Sequence, residues 1–171
     1  MDRDDVFAYP CRMQFSADPK RIFSDPIHIL AFGFGAGLSP RAPGTAGTLL
    51  AVPLIMFIGS FGWTTHAIVT VLLCVSGVYI CGASATKLGV HDHRGIVWDE
   101  IAGFAITMLP VPLTWYWLIS GFLLFRFFDI VKPWPIREAD HSLKGGLGIM
   151  LDDIIAGVFA GVVLYALNYW L

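Results

Sequence analysis

The 171-residue chain carries 11 Lys and Arg and 13 Asp and Glu, and none of them falls within residues 49–63, 66–85, 101–109, 115–125 or 154–171. Those stretches are apolar on every side, so no choice of helix rotation gives them a solvated face. Charge is confined to the N-terminal 26 residues and to three polar regions and their edges: 39–48, 86–100 and about 126–153. A soluble domain carries about 25% charged residues, whereas this chain has 14%, with 56% hydrophobic residues. The pattern predicts an all-α, polytopic integral membrane protein.

The apolar stretches pair into hairpins. "LLAVPLIMFIGSFGW" (49–63) and "HAIVTVLLCVSGVYICGASA" (66–85) form the first, and "IAGFAITML" and "WYWLISGFLLFRFF" flank "PVPLT" to form the second. The last segment, "IIAGVFAGVVLYALNYWL", runs to the C-terminus. "IHILAFGFGAGL" (27–38) is too short to span, since a crossing helix needs about 20 residues, and reads as interfacial or re-entrant. The expectation is a bundle of about four spanning or hairpin helices, with residues 27–171 as one membrane-embedded domain. Residues 1–26 hold nine charges and no apolar core, so they read as a polar tail and not as a signal peptide.

Hairpins return the chain to the side it left, so the three polar regions share one face. Arg41, Lys87, Arg94, Arg126, Lys132, Arg137 and Lys144 all lie there, which marks that face as cytoplasmic. The hairpin tips carry no charge, and Trp63, Trp115 and Trp117 are the expected anchors at the far interface. A net charge of −2 offers no basic excess to pair with a phosphate backbone, so no nucleic-acid partner is expected. Cys11, Cys74 and Cys81 have no metal-binding spacing and read as structural thiols.

Two acid pairs enter apolar stretches in nearly the same setting: Asp99 and Glu100 in "GIVWDEIAGF", Asp152 and Asp153 in "GIMLDDIIAGVF". Helix N-capping accounts for Asp99 and Asp152, each just before the expected helix. It leaves Glu100 and Asp153 unexplained. An unpaired charge in hydrocarbon costs roughly 2.5–3.5 kcal/mol even on the lenient insertion scale, and a hard divalent cation would remove that penalty. Gly103 and Gly157 follow the pairs within one turn and predict close helix packing.

"FRFFDIVKPWPIR" (125–137) places Arg126 and Asp129 three apart on one helix face, with Lys132 at the helix end that Pro133 imposes. Arg126, Lys132 and Arg137 suit either headgroup snorkelling or phosphate binding. The Gly-rich turns "APGTAGT" (42–48) and "KGGLGI" (144–149) can offer backbone N–H groups to a phosphate, with Thr45 or Thr48 assisting, although neither has P-loop spacing. His91, Asp92 and His93 form a polar run that contains a candidate proton donor, while His28 and His66 read as interfacial or structural. No Cys has an Arg six positions on, and no DxDx[TV] or "PSGH" run occurs. Metal-assisted attack is therefore the phosphatase design still open.

Four blocks, "GLSPRAPGTAGT", "GVHDHRGIVWDEIAG", "FRFFDIVKPWPIR" and "GGLGIMLDDIIAG", closely resemble the bacterial phosphatidylglycerophosphatase A family. The resemblance covers about residues 27–165. It implies Mg2+-dependent removal of the terminal phosphate from phosphatidylglycerol phosphate at the bacterial inner membrane, with the active site facing the cytoplasm. Membrane lipids and the lipid substrate are then the partners. The matching positions imply a metal set of Asp99, Glu100, Asp129, Asp152 and Asp153. Arg126, Lys132 and Arg137 match basic positions of the third block and Thr45 lies in the first; our own reading of the residues makes these four the expected phosphate-binding set and Asp129, Asp92, Lys132 and Arg126 the candidates for catalysis. The rival expectation is a small ion-coupled transporter, since acids inside membrane segments are common there.

Overall fold

The computed structural model describes residues 18–90, 92–134, 136 and 145–170, and among them there are helices and no strands. The helices are α1 (Pro19–Phe23), α2 (Pro26–Ala31), α3 (Pro43–Gly59), α4 (Trp63–Leu88), α5 (Trp98–Thr107), α6 (Trp115–Val131) and α7 (Gly146–Trp170). A 3-10 stretch, Gly33–Leu38, joins α2 to the loop before α3. Proline opens each of the first three helices, where its missing N–H has no intrahelical partner to lose. Asp18 and Asp25 cap α1 and α2 by accepting from the backbone N–H of Lys20 and Ile27. As Pro133 demands, α6 stops at Val131, with Lys132 in the left-handed region at φ 43°.

α4 shows what surrounds the bundle. Ile68, Val71, Leu72, Val75 and Tyr79 form a helical stripe that is more than half exposed, while Thr70, Leu73, Gly77, Ile80 and Cys81 face inward. Both faces are apolar, and water would penalise the outer one. α4 and α7, with 26 and 25 residues, are long and apolar enough to cross a membrane. Where about four spanning or hairpin helices are expected, these two have full spanning length. α3 is a shorter apolar helix of 17 residues, and α5 has only ten, about 15 Å.

α5 is nonetheless the centre of the fold. Ile101, Ala102, Gly103, Phe104 and Ala105 are all buried, and α5 touches α3, α4, α6 and α7. Its crossing with α7 is glycine against glycine, as the sequence predicts. A Cβ on Gly157 would overlap the Gly103 carbonyl, and one on Gly103 would lie 2.7 Å from the Asp153 carbonyl oxygen. The Thr107 hydroxyl, bonded to the carbonyls of Gly103 and Gly157, ties the two backbones together. This close approach sets Asp99 and Glu100 beside Asp153.

Two expectations need correction. The packed body begins before residue 27: Ile22 is fully buried, Arg21 donates to the Lys87 carbonyl at 2.6 Å, and Lys87 pairs with Asp25 at 2.5 Å. α1 and α2 thus dock on the charged end of α4. At the far end Trp63 and Trp115 are exposed as expected, but Trp117 is buried, turned inward one residue past the interface-facing Tyr116. The Trp63 indole N–H donates to the Leu109 carbonyl at 3.0 Å and so fastens one hairpin tip to the other.

Candidate active site

The two acidic pairs differ in where they sit: Asp99 and Glu100 are in the first turn of α5, whereas Asp152 and Asp153 are well inside α7. Val97, not Asp99, occupies the N-cap position of α5. Asp99 is the second helical residue, and its Oδ1 accepts from the N–H of Glu100 at 3.1 Å. α7 starts at Gly146, so Asp152 and Asp153 lie in its second turn and cap nothing. Gly146 itself packs against Val78 and Gly82 of α4, well short of the Leu88 end of that helix. The carboxylates are therefore recessed within the bundle. Capping is excluded as the reason for Asp152.

Asp99, Glu100 and Asp153 each place a carboxylate oxygen within 4.8 Å of the others. Asp99 and Asp153 are 8% and 3% exposed, and the Glu100 side chain is 13% exposed. Among the described residues these three form the one His, Cys, Asp or Glu group of this kind. Two like charges at such a separation repel by at least about 3 kcal/mol at an effective dielectric near 20. Glu100 Oε2 and Asp153 Oδ1 are buried with no hydrogen-bond partner. Acceptor-only oxygens that converge and lack donors are what a hard divalent cation binds, so the residues fit such an ion.

The other expected ligands stand beside this triad in ion pairs. Arg126 Nη1 lies 2.5 Å from Asp129 Oδ2, the i, i+3 pair the sequence predicts, and 3.8 Å from Glu100 Oε1. Its Nε is buried with no acceptor. Lys132 Nζ lies 2.6 Å from Asp152 Oδ2, which links the end of α6 to α7. Asp153 is within electrostatic reach of Asp129, Asp99 and Asp152, so all five acids belong to one cluster. Five carboxyl groups face two cations, Arg126 and Lys132, so acids outnumber the bases beside them.

The first turn of α3 closes one side. Gly44 is buried against Glu100 and Arg126, which brings "APGTAGT" to the site. Thr45 is half-buried in the same turn, and the Thr48 hydroxyl donates to the Gly44 carbonyl at 2.9 Å. Asp92 is exposed in the loop before α5, within electrostatic reach of Asp99. His93 Nδ1 accepts from the Gly95 N–H at 3.0 Å and its ring packs on Phe32, a structural use. His28 is structural too, with Nδ1 2.8 Å from the Ser84 hydroxyl. Arg137, His91 and Lys144 lie outside the described residues. Sequence reasoning passed over Gly44, although its place in a turn between polar residues was a signal.

The family profile described as phosphatidylglycerophosphatase A matches residues 29–168, which contain every carboxylate of the cluster. The chain belongs to the phosphatidylglycerophosphatase A family, a family of phosphatases. It is 46% identical over 147 residues to the phosphatidylglycerophosphatase A of Escherichia coli, covering 85% of this chain and 86% of the relative. It is 46% identical over 152 residues to that of Haemophilus influenzae, covering 86% and 91%. A Bacteroides thetaiotaomicron protein, provisionally named a phosphatidylinositol-3-phosphatase, is 42% identical over 151 residues, covering 83% and 92%. No solved structure matches the chain.

Proposed function

We propose that this protein hydrolyses the terminal phosphomonoester of phosphatidylglycerol phosphate, giving phosphatidylglycerol and inorganic phosphate, in a Mg2+-dependent reaction. The observation that carries the reading is the convergence of Asp99, Glu100 and Asp153 from α5 and α7, with Arg126 and Lys132 at its edge. Asp99, Glu100 and Asp153 would hold the ion, with Asp129 and Asp152 close enough to share it or its water shell. Bound Mg2+ would supply positive charge to offset the excess carboxylates and polarise a phosphoryl oxygen. Without a divalent cation, an anionic phosphate would be repelled by this cluster.

The chain's own residues then divide the work. Arg126, with a buried Nε seeking an acceptor, and Lys132 bind the phosphate oxygens and hold them as charge shifts in the transition state. Thr45, in the first turn of α3, is a further candidate for the phosphate site. Asp129, held by Arg126, accepts a hydrogen bond from the attacking water and orients it. Asp92 is the candidate for returning a proton to the leaving alkoxide.

The recessed site suits a lipid whose acyl chains stay in the bilayer while the phosphate enters between helices. We place the protein in the bacterial inner membrane as a multi-pass bundle, with α3 and α6 completing the two full-length spans and the charged end cytoplasmic. A transporter reading is not favoured, because the far end has no Asp, Glu, Lys or Arg to carry an ion onward.

Phosphate release from phosphatidylglycerol phosphate by detergent-purified protein tests the proposal, with Mg2+, then EDTA, then Mg2+ restored. Release that EDTA abolishes and Mg2+ recovers is expected. Release indifferent to EDTA would overturn the metal, and preferential release from phosphatidylinositol 3-phosphate or phosphatidic acid would overturn the substrate.

A further inference from the structure

Glycines pack tightly at several points in this fold, and what each one touches separates two kinds. A Cβ on Gly37 would overlap the Gly95 carbonyl, and one on Gly146 the Val78 carbonyl; in both cases the obstacle is backbone. Neither clash can be relieved without moving a chain segment, so these glycines serve the fold. Gly44 differs. A Cβ there would overlap Glu100 Oε1 and lie 2.9 Å from Arg126 Nη1 and 3.1 Å from Glu100 Cδ. All three are near the ends of long side chains that can swing aside. Gly44 also sits in the first turn of α3 with an ordinary helical backbone, since it is absent from the positive-φ glycines, so alanine is conformationally acceptable there.

The asymmetry decides what the glycine is for. An alanine at position 44 would leave the helix intact, and would even favour it, because glycine in a helix costs roughly 0.5–1 kcal/mol relative to alanine. What it would displace is the carboxylate that completes the Asp99–Glu100–Asp153 triad and the guanidinium that pairs with it. We propose that Gly44 is a positioning residue: its missing side chain leaves the space in which Glu100 and Arg126 are held against the first turn of α3. The inference rests on the metallophosphatase reading for its consequence, and on packing alone for its geometry. The "APGT" turn thereby works as a template for the acid–base pair beside the metal, apart from any contact it makes with phosphate.

The test compares Gly44→Ala with Gly37→Ala and Glu100→Gln in detergent-purified protein. Thermal melting in EDTA reads the fold, and Mn2+ titration followed by electron paramagnetic resonance reads the ion site without turnover. Gly44→Ala is expected to melt within a few degrees of the wild type and to bind Mn2+ about 10–100-fold more weakly, the range for losing support to a ligand. Gly37→Ala is expected to lower the melting temperature. Unchanged Mn2+ affinity in Gly44→Ala, alongside weakened binding in Glu100→Gln, would overturn the proposal.

If Glu100→Gln binds Mn2+ as well as the wild type, the metal role of Glu100 fails instead, and double-variant kinetics still decide the positioning. Phosphate release by Gly44→Ala/Glu100→Gln should then fall by clearly less than the product of the two single losses, since the glycine acts in part through Glu100. Multiplied losses would overturn the proposal.

Discussion

Lys132 Nζ meets Asp152 Oδ2 at 2.6 Å, and the lysine that makes this contact holds its backbone in the left-handed region, at φ 43°. A bulky residue there costs about 1 kcal/mol, which glycine would not incur. Helix α6 ends at this position, so the strained residue delivers its ammonium to the edge of the carboxylate cluster.

Lys132→Gly sets two contributions to stability against each other. Relief of the left-handed backbone offsets only part of the loss of the ion pair, because the Asp152 carboxylate it meets is buried. The melting temperature should fall, and phosphate release should drop by about 100-fold or more, as when one transition-state donor is lost. Melting and initial rates on the same preparation check this. A variant with near-normal turnover would remove Lys132 from the phosphate site.

His28 gives the packed N-terminal segment a pH dependence. Its ring is buried against Ser84, and burial pushes its pKa below the ordinary 6.5; Asp25 opposes the shift, and Lys87 and Arg21 add to it. The folded protein resists protonation of His28 while the unfolded chain takes up its proton near 6.5. Stability should thus fall as pH drops through 6.5 and continue falling until the lower folded value is reached. His28→Gln keeps a polar partner for Ser84 and removes the proton. Melting temperatures from pH 7.5 to 5 should show a shallower slope for His28→Gln; an equal slope would assign the effect to another group.

The orientation is open to labelling. Both hairpin tips lack charge and the carboxylate end carries Arg41, Lys87 and Arg94, so single cysteines at Ser60 and Lys87, in a chain stripped of Cys11, Cys74 and Cys81, should report opposite sides. In intact spheroplasts an impermeant maleimide should modify the cysteine at position 60, with the one at position 87 reacting only after lysis. The reverse pattern would put the site on the outer face.

Much of this arrangement was legible in the sequence because it follows from local rules. The i, i+3 spacing of Arg126 and Asp129, the helix stop before Pro133 and the close packing at Gly103 and Gly157 need only helical geometry and residue size. The depth of Asp152 and Asp153 was not legible. "GGLGIM" reads as a turn by composition, yet Gly146 and Gly148 are helical, and the bare backbone of Gly146 lets α7 begin against α4. The central place of α5 was also hidden, since burial on every side is a property of its neighbours. Trp117 illustrates the same limit: composition marks it as an interfacial residue, and only the rotation of α6 in the bundle turns it inward.

The recessed triad carries a last consequence. Asp99, Glu100 and Asp153 crowd acceptor oxygens into a buried space where Asp153 Oδ1 and Glu100 Oε2 have no donor. In EDTA these groups oppose folding, by mutual repulsion where ionised and by unmet hydrogen-bonding capacity in any state. Asp153→Asn removes one charge, adds an N–H2 donor and keeps the shape. The variant should melt several degrees above the wild type in EDTA and gain less from added Mg2+, because one ion ligand is now neutral. Its phosphate release should fall to background. Melting curves with and without Mg2+ decide the matter: a wild type unmoved by Mg2+, or an Asp153→Asn protein less stable than wild type in EDTA, would show that the triad is held by interactions within the fold and not kept for a cation.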